Sequence, residues 1–153
     1  MKNQMLEPRT PIDLSTYQPS KKVSTYLAFV RNVTNYATDA DAYKHIVHPE
    51  AMFFEYPNLV TKNGQVRTWT PAEGMKGIET GKQILSDQYY KFFDFTETDN
   101  KLVAEGMWLG TMKTDFGTLK KGQQLKAYLC VIIEFKDDKI YMIRNYDCYE
   151  PFA

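Results

Sequence analysis

The spacing of apolar residues changes once along this chain, and that change sets its fold class. Up to Tyr90 the pattern is mainly helical; from Phe93 onward apolar and polar residues alternate. Four alternating stretches, 93–98, 102–113, 126–135 and 139–149, read as strands. Asp99-Asn100 and Asp137-Asp138 supply turn residues between neighbours, and Gly117 and Gly122 sit in the loop between the middle pair. Helices first and antiparallel strands last make an α+β domain, with helices on one face of a curved sheet.

The first half predicts three helices. Pro8, Pro11 and Pro19 mark 1–19 as an extended arm before a single domain at 20–153. Ser20 offers an N-cap, and Val23, Tyr26, Leu27, Val30, Val33 and Ala37 recur at helical spacing to about Thr38. Thr38, Asp39 and Asp41 look like a second start. Ala42, Tyr43, Ile46 and Val47 give it an apolar face, and Pro49 stops it at His48. The aromatic stretch 51–56, ended by Pro57, reads as a strand. Residues 58–76, with Gly64, Pro71 and Gly74, read as a long loop, which in a compact domain suggests a functional segment or partial lid. Residues 77–90 read as the third helix, with Ile78, Ile84, Leu85 and Tyr89 on its buried face.

Composition excludes several function classes. The 153 residues fit one domain, which can bury roughly two-thirds of its unfolded surface without staples. Lys plus Arg and Asp plus Glu both number 19, so no basic footprint favours a nucleic acid partner. Aromatics reach 14%, with 11 Tyr and 9 Phe, which suits pocket walls and interfaces. Cys130 and Cys148 are too few for a disulfide framework or a four-cysteine zinc site. The N-terminus has no apolar signal region, and no run approaches the roughly 20 apolar residues of a membrane span. The expectation is a cytoplasmic protein without membrane contact. His45 and His48, three apart, lack an acid or cysteine set and read as a surface helix end, so no metal is expected. Gly74, Gly77 and Gly81 match no phosphate-binding pattern, no serine sits in a nucleophile elbow, and no cofactor is expected.

The last hairpin can be registered from its turn. With Asp137-Asp138 as the turn, Lys136 pairs with Lys139. Cys130 then faces Asn145, Tyr128 faces Asp147 and Ile132 faces Ile143. In this register Tyr128, Cys130, Asn145 and Asp147 share one face. The opposite face holds Leu129, Val131, Ile133 and Phe135 with Ile140, Met142, Arg144 and Tyr146. Both faces are rich in apolar groups, so one lines a core or pocket and the other packs on a partner subunit. Asp-Asp is a poorer two-residue turn than Asp-Gly, and a bulge there would slip the register by one and change every pairing.

Three motifs in order carry a family resemblance. They are Phe53-Phe54-Glu55-Tyr56-Pro57 after two helices, Gly77-Ile78-Glu79 opening the third, and the closing run from Asp138-Lys139-Ile140 through Arg144-Asn145-Tyr146-Asp147 to Glu150-Pro151. Over roughly 20–152 the chain resembles the nuclear transport factor 2-like superfamily, in its SnoaL-like and ketosteroid isomerase-like branch. The resemblance implies a cone in which a curved antiparallel sheet wraps the long first helix around a pocket for a small hydrophobic molecule. It also implies a homodimer through the outer sheet face. Ketosteroid isomerases place an aspartate base before the proline ending the first strand; here that residue is Tyr56, with Glu55 beside it on the other face. Their first-helix tyrosine matches Tyr26. Epoxide hydrolases of this fold place an aspartate after an arginine in the closing strand; here Asn145 follows Arg144. SnoaL-like cyclases carry an acid near the end of that strand, which matches Asp147.

Asp147 is the candidate base. A carboxylate inside an apolar cone has its charged form disfavoured, so it can take a proton α to a carbonyl near neutral pH. Tyr128 would donate to the developing enolate, and Asn145 would orient a carbonyl or a water. Tyr26, Phe54, Tyr56, Trp69, Trp108, Cys130 and Ile143 are the expected ligand-binding wall. The expected function is a pocket for a small hydrophobic ligand, with isomerase, cyclase or dehydratase chemistry on a carbonyl compound. The alternative is a non-catalytic ligand-binding or dimeric interaction domain of the same fold.

Overall fold

The computed structural model describes residues 9–61 and 64–152. Two α-helices lie over one six-stranded curved sheet. In chain order these are α1 (Lys21–Thr34), a 3-10 turn (Ala40–Ala42), β1 (Val47–Glu55), β2 (Arg67–Trp69), α2 (Pro71–Ile84), β3 (Leu85–Glu97), β4 (Lys101–Met112), β5 (Gln124–Lys136) and β6 (Lys139–Tyr149). The strand order is β2-β1-β6-β5-β4-β3, antiparallel except between β1 and β6.

The Ser20 hydroxyl accepts the Val23 N–H at the start of α1, as its sequence signal implies. Val23, Tyr26 and Val30 point from α1 into the core formed with Phe53, Phe92, Leu102, Ala104, Val131, Ile133, Ile140 and Ile143. Burying side chains of this kind contributes roughly 1.5–3 kcal/mol each. A second, smaller cluster of Leu85, Met112, Leu125 and Phe152 packs beyond it. Phe152 is held by the β4–β5 loop, where the Thr118 N–H donates to its carbonyl at 2.9 Å. In the arm, the Ile12 N–H donates to the Phe92 carbonyl at 2.7 Å, and Tyr17 packs against Phe95. Residues 1–8 of the expected arm lie outside the described residues.

The expected second helix is a single 3-10 turn, capped by the Asp39 side chain on the Asp41 N–H. Two helices therefore replace the expected three. Pairing decides this: the Ile140 N–H donates to the Ile46 carbonyl, and Val47 pairs with Ile140 in the parallel ladder. Pro49 is tolerated in β1 because β2 pairs only from Phe53, leaving that edge free of ladder bonds. The expected 77–90 helix runs instead over Pro71–Ile84, inside the stretch read as loop. Thr70 and Glu73 form a capping box there, with Pro71 in the first turn. Leu85 and Tyr89, assigned by spacing to that helix, belong to β3, which is longer than the expected 93–98 because it pairs with nearly all of β4. The closing strand has the expected bounds.

The β5–β6 register differs from the expected one, and the difference reverses a face. The turn is as expected: Asp137 and Asp138 adopt φ of 53° and 60°, and Lys136 pairs with Lys139. The ladder then slips between Glu134 and Phe135. Phe135 pairs with Ile140, but Glu134 pairs with Met142, so Tyr141 is the extra residue. Its ring packs edge-on against His48, at 5.3 Å between centroids. Beyond the bulge Ile133 faces Ile143, Val131 faces Asn145, Leu129 faces Asp147 and Tyr128 faces Cys148. Tyr128 and Cys130 therefore share the outer face with Tyr146 and Cys148, while Asn145 and Asp147 lie on the inner face. Among the described residues no helix is long and apolar enough to cross a membrane.

Candidate functional site

A cavity of about 1060 Å³ opens between the two helices and the inner sheet face. Its middle is aromatic. Phe29 lies 5.8 Å from Phe53 and 6.1 Å from Tyr43, and Phe53 lies 6.3 Å from Trp69. Helix α2 lines one side with Gly74, Gly77, Ile78 and Gly81 and buries none of its residues. Gly74 abuts the Trp69 indole, where a Cβ would come within 3.0 Å, but a Cβ at Gly77 or Gly81 would meet nothing within 4 Å.

The polar end of the cavity is built by cross-strand pairing. Arg67 on β2, Glu55 on β1 and Asn145 on β6 lie side by side, and Asp147 follows Asn145 on the same face. Tyr26, Gln88, Tyr90, Trp108 and Tyr149 complete this end. The Asp147 Oδ1 is buried and has no hydrogen-bond partner among the described residues. Burial pushes its carboxyl up to about 7, and the charge of Glu55 adds to the rise. Burial also pushes the Tyr26, Tyr90 and Tyr149 phenols up, and the field of Asp147 works in the same direction. All three remain protonated donors at neutral pH. Glu55 is 8% exposed; its Oε1 accepts from Asn58 Nδ2 at 3.0 Å and its Oε2 from the Arg67 guanidinium at 3.4 Å. Asn145 is anchored by its Nδ2, which donates to the Phe54 carbonyl at 3.2 Å. Gln88 accepts the Trp108 indole N–H at 2.9 Å and donates to the Val33 carbonyl at 3.2 Å, tying the sheet to the end of α1. An ionisable group in an apolar chamber beside protonated phenols can move a proton to or from carbon next to a carbonyl and stabilise the resulting oxyanion.

No family profile matches the chain, and no curated protein matches it. Solved structures do. A SnoaL-like polyketide cyclase from Agrobacterium tumefaciens superposes with a TM-score of 0.62 at 16% identity, covering 84% of this chain and 92% of that one. TsrD from Streptomyces laurentii superposes with a TM-score of 0.61 at 14% identity, covering 86% and 90%. An LEH-like epoxide hydrolase from M. tuberculosis gives 0.58 at 12% identity, covering 85% and 83%. The chain has the SnoaL-like fold.

Within this SnoaL-like cone, Asp147, Asn145, Tyr26, Trp69, Trp108 and Ile143 line the cavity. Tyr128, Cys130, Phe54 and Tyr56 do not. Tyr128 is 48% exposed, placed outward with Cys130 by the slip at Tyr141. Phe54 pairs with Arg144 on the outer face, since Phe53 and Glu55 on either side of it take the inner one. Tyr56 lies beyond β1, stacked on the outward Tyr146 at 4.4 Å and 14°. Glu55, placed by the sequence on the face opposite Tyr56, is the one of the two that faces the cavity. It shares its face with Phe53, and that alternation was legible once Phe53 is taken as core. Gln88 and Tyr90 were missed because the helical reading of 77–90 hid the strand that aims them inward, and nothing in the sequence marks Arg67. His48, read as a surface helix end, lies in β1 at 9% exposure, its Nδ1 accepting the Glu50 N–H. Among the described residues no cluster of three or more histidine, cysteine or acidic side chains could hold a metal ion.

Proposed function

We propose that this protein is an enzyme that moves a proton at carbon beside a carbonyl in a small hydrophobic molecule, as an isomerase, cyclase or dehydratase without a cofactor. The observation that carries this reading is the buried Oδ1 of Asp147, without a hydrogen-bond partner among the described residues, at the polar end of a cavity whose middle is aromatic. Burying such a group unpaired costs stability, and a carboxyl poised at about 7 is matched to proton transfer at neutral pH. Asp147 takes the proton. Tyr26 or Tyr90, both protonated, donates to the developing enolate, the role expected of Tyr128. Asn145 orients the substrate carbonyl. Polyketide cyclases among proteins of this fold are consistent with the substrate class, a cyclic or polyketide-like carbonyl compound.

We also assign the outer sheet face to a second copy of the chain. Tyr128 and Tyr146 expose an aromatic surface there, beside Met107, Val103 and Ile132. The two thiols are free, which suits the reducing cytoplasm.

Native mass spectrometry of the protein purified from its own cells identifies any retained compound. Exchange of that compound's α-hydrogens in heavy water then reads the chemistry. Wild type catalyses the exchange, and Asp147→Asn slows it by at least about 100-fold while still retaining the compound. Exchange by wild type no faster than without protein overturns the enzymatic reading in favour of a binding domain, and equally fast catalysed exchange by both proteins removes Asp147 as the base.

A further inference from the structure

Glu55 is a buried acid inside the cavity for which the proposed proton transfer has no use. It is held from two sides. Asn58 grips one carboxylate oxygen at 3.0 Å and Arg67 approaches the other at 3.4 Å. Its Cα partner on β6 is Asn145, two residues before Asp147 on the same face. Strand spacing and rise then put the Glu55 and Asp147 backbones about 8 Å apart, within mutual reach of their side chains. The other groups facing Asp147 carry no charge at neutral pH. Tyr26 from α1, Tyr90 from β3 and Tyr149 from β6 are protonated phenols, and the β5 residue opposite is Leu129. From α2, Glu73 is committed to its own cap, accepting the Thr70 N–H at 2.7 Å. Lys44, His48 and Lys139 line the far end of the cavity; His48 packs on Tyr141, which lies roughly 20 Å from Asp147 by the rise of β6.

We propose that Glu55 is a positioning residue for the proton on Asp147, and that Arg67 and Asn58 hold it there. This rests on the reading of Asp147 as the proton carrier. With Glu55 ionised, a second negative charge on Asp147 is opposed by a like charge across a partly dry cavity. Arg67 moderates that field only in part, because its side chain is 55% exposed against 11% for Glu55 and solvent screens it. The pair therefore works as a fixed setting. Glu55 holds the proton on Asp147, and Arg67 limits how strongly.

Carbon-13 NMR titration of the aspartate carboxyls tests this without a substrate, with the Asp147 resonance assigned by its loss in Asp147→Asn. The wild-type midpoint is expected near 7. Glu55→Gln moves it down by about one unit. Arg67→Gln moves it up by roughly half a unit, and Arg67→Lys returns it toward wild type. Opposite signs in the two variants mark an electrostatic setting, since simple loss of packing would not separate the midpoints. Should Glu55→Gln fail to fold, Arg67→Gln and Arg67→Lys carry the test alone. An unchanged midpoint in Glu55→Gln, or in Arg67→Gln, overturns the proposal. A wild-type midpoint in the ordinary carboxylate range is a different result, because it removes the proton-carrier reading itself.

Discussion

Asp147 lies opposite Leu129 in the β5–β6 ladder, one position away from the pairing with Tyr128 that the turn alone would give. That step exchanges the faces of β5. It takes a tyrosine out of the candidate site and puts an aliphatic side chain beside the acid, which leaves Tyr26 of α1, Tyr90 of β3 and Tyr149 of β6 as the phenols at that end of the cavity.

The raised carboxyl of Asp147 has a signed effect on stability. Its pKa is about 7 in the folded chain against 3.8 for a free side chain, so the folded state binds the proton more tightly. That contribution is fully present below about pH 4 and is lost as pH rises through about 7. Between these limits the wild-type melting temperature should fall relative to that of Asp147→Asn, and converge with it below about pH 4. Parallel melting curves across the whole window would show that the carboxyl titrates normally.

Gly77 and Gly81 give the ligand room without being required by the backbone. Neither has positive φ, and neither has a neighbour that a Cβ would strike. Replacing either by Ala should stabilise α2 by up to about 1 kcal/mol, as helix interiors favour alanine. Gly81→Leu should instead fill cavity space and abolish binding of a dye such as anilinonaphthalene sulfonate, with no loss of melting temperature. Unchanged dye binding would place the ligand elsewhere.

The Thr70–Glu73 box holds the start of α2 over the cavity. Thr70→Ala should cost about 1 kcal/mol in denaturant titrations. Because α2 buries none of its residues, hydrogen exchange should rise first in its opening turn.

The outer face predicts an oligomeric state. Tyr128→Glu combined with Tyr146→Glu should convert a dimer into a monomer in sedimentation experiments, with the cavity intact. A wild-type monomer at micromolar concentration would refute the assignment of that face.

Much of the fold was legible because local rules and tertiary structure agree there. Ser20 caps α1, the alternation after Phe93 makes strands, and the Asp137-Asp138 turn lies where the residues put it. The inner-face alternation of Asn145 and Asp147 follows from the two-residue period of β6 alone. The Thr70-Pro71-Ala72-Glu73 start of α2 was also present in the sequence, but proline and glycine nearby suggested a loop. What the sequence by itself determined was therefore the α+β class, the closing strand and the residues that share a face. Tertiary structure decided which face points inward across a ladder. The bulge at Tyr141 arises where β6 must pair with β5 on one side and with Val47 of β1 on the other. Such a slip has no local signature, since its cause lies roughly ninety residues away. The same holds for Glu55 and Arg67, which become neighbours of Asp147 only when β2, β1 and β6 align.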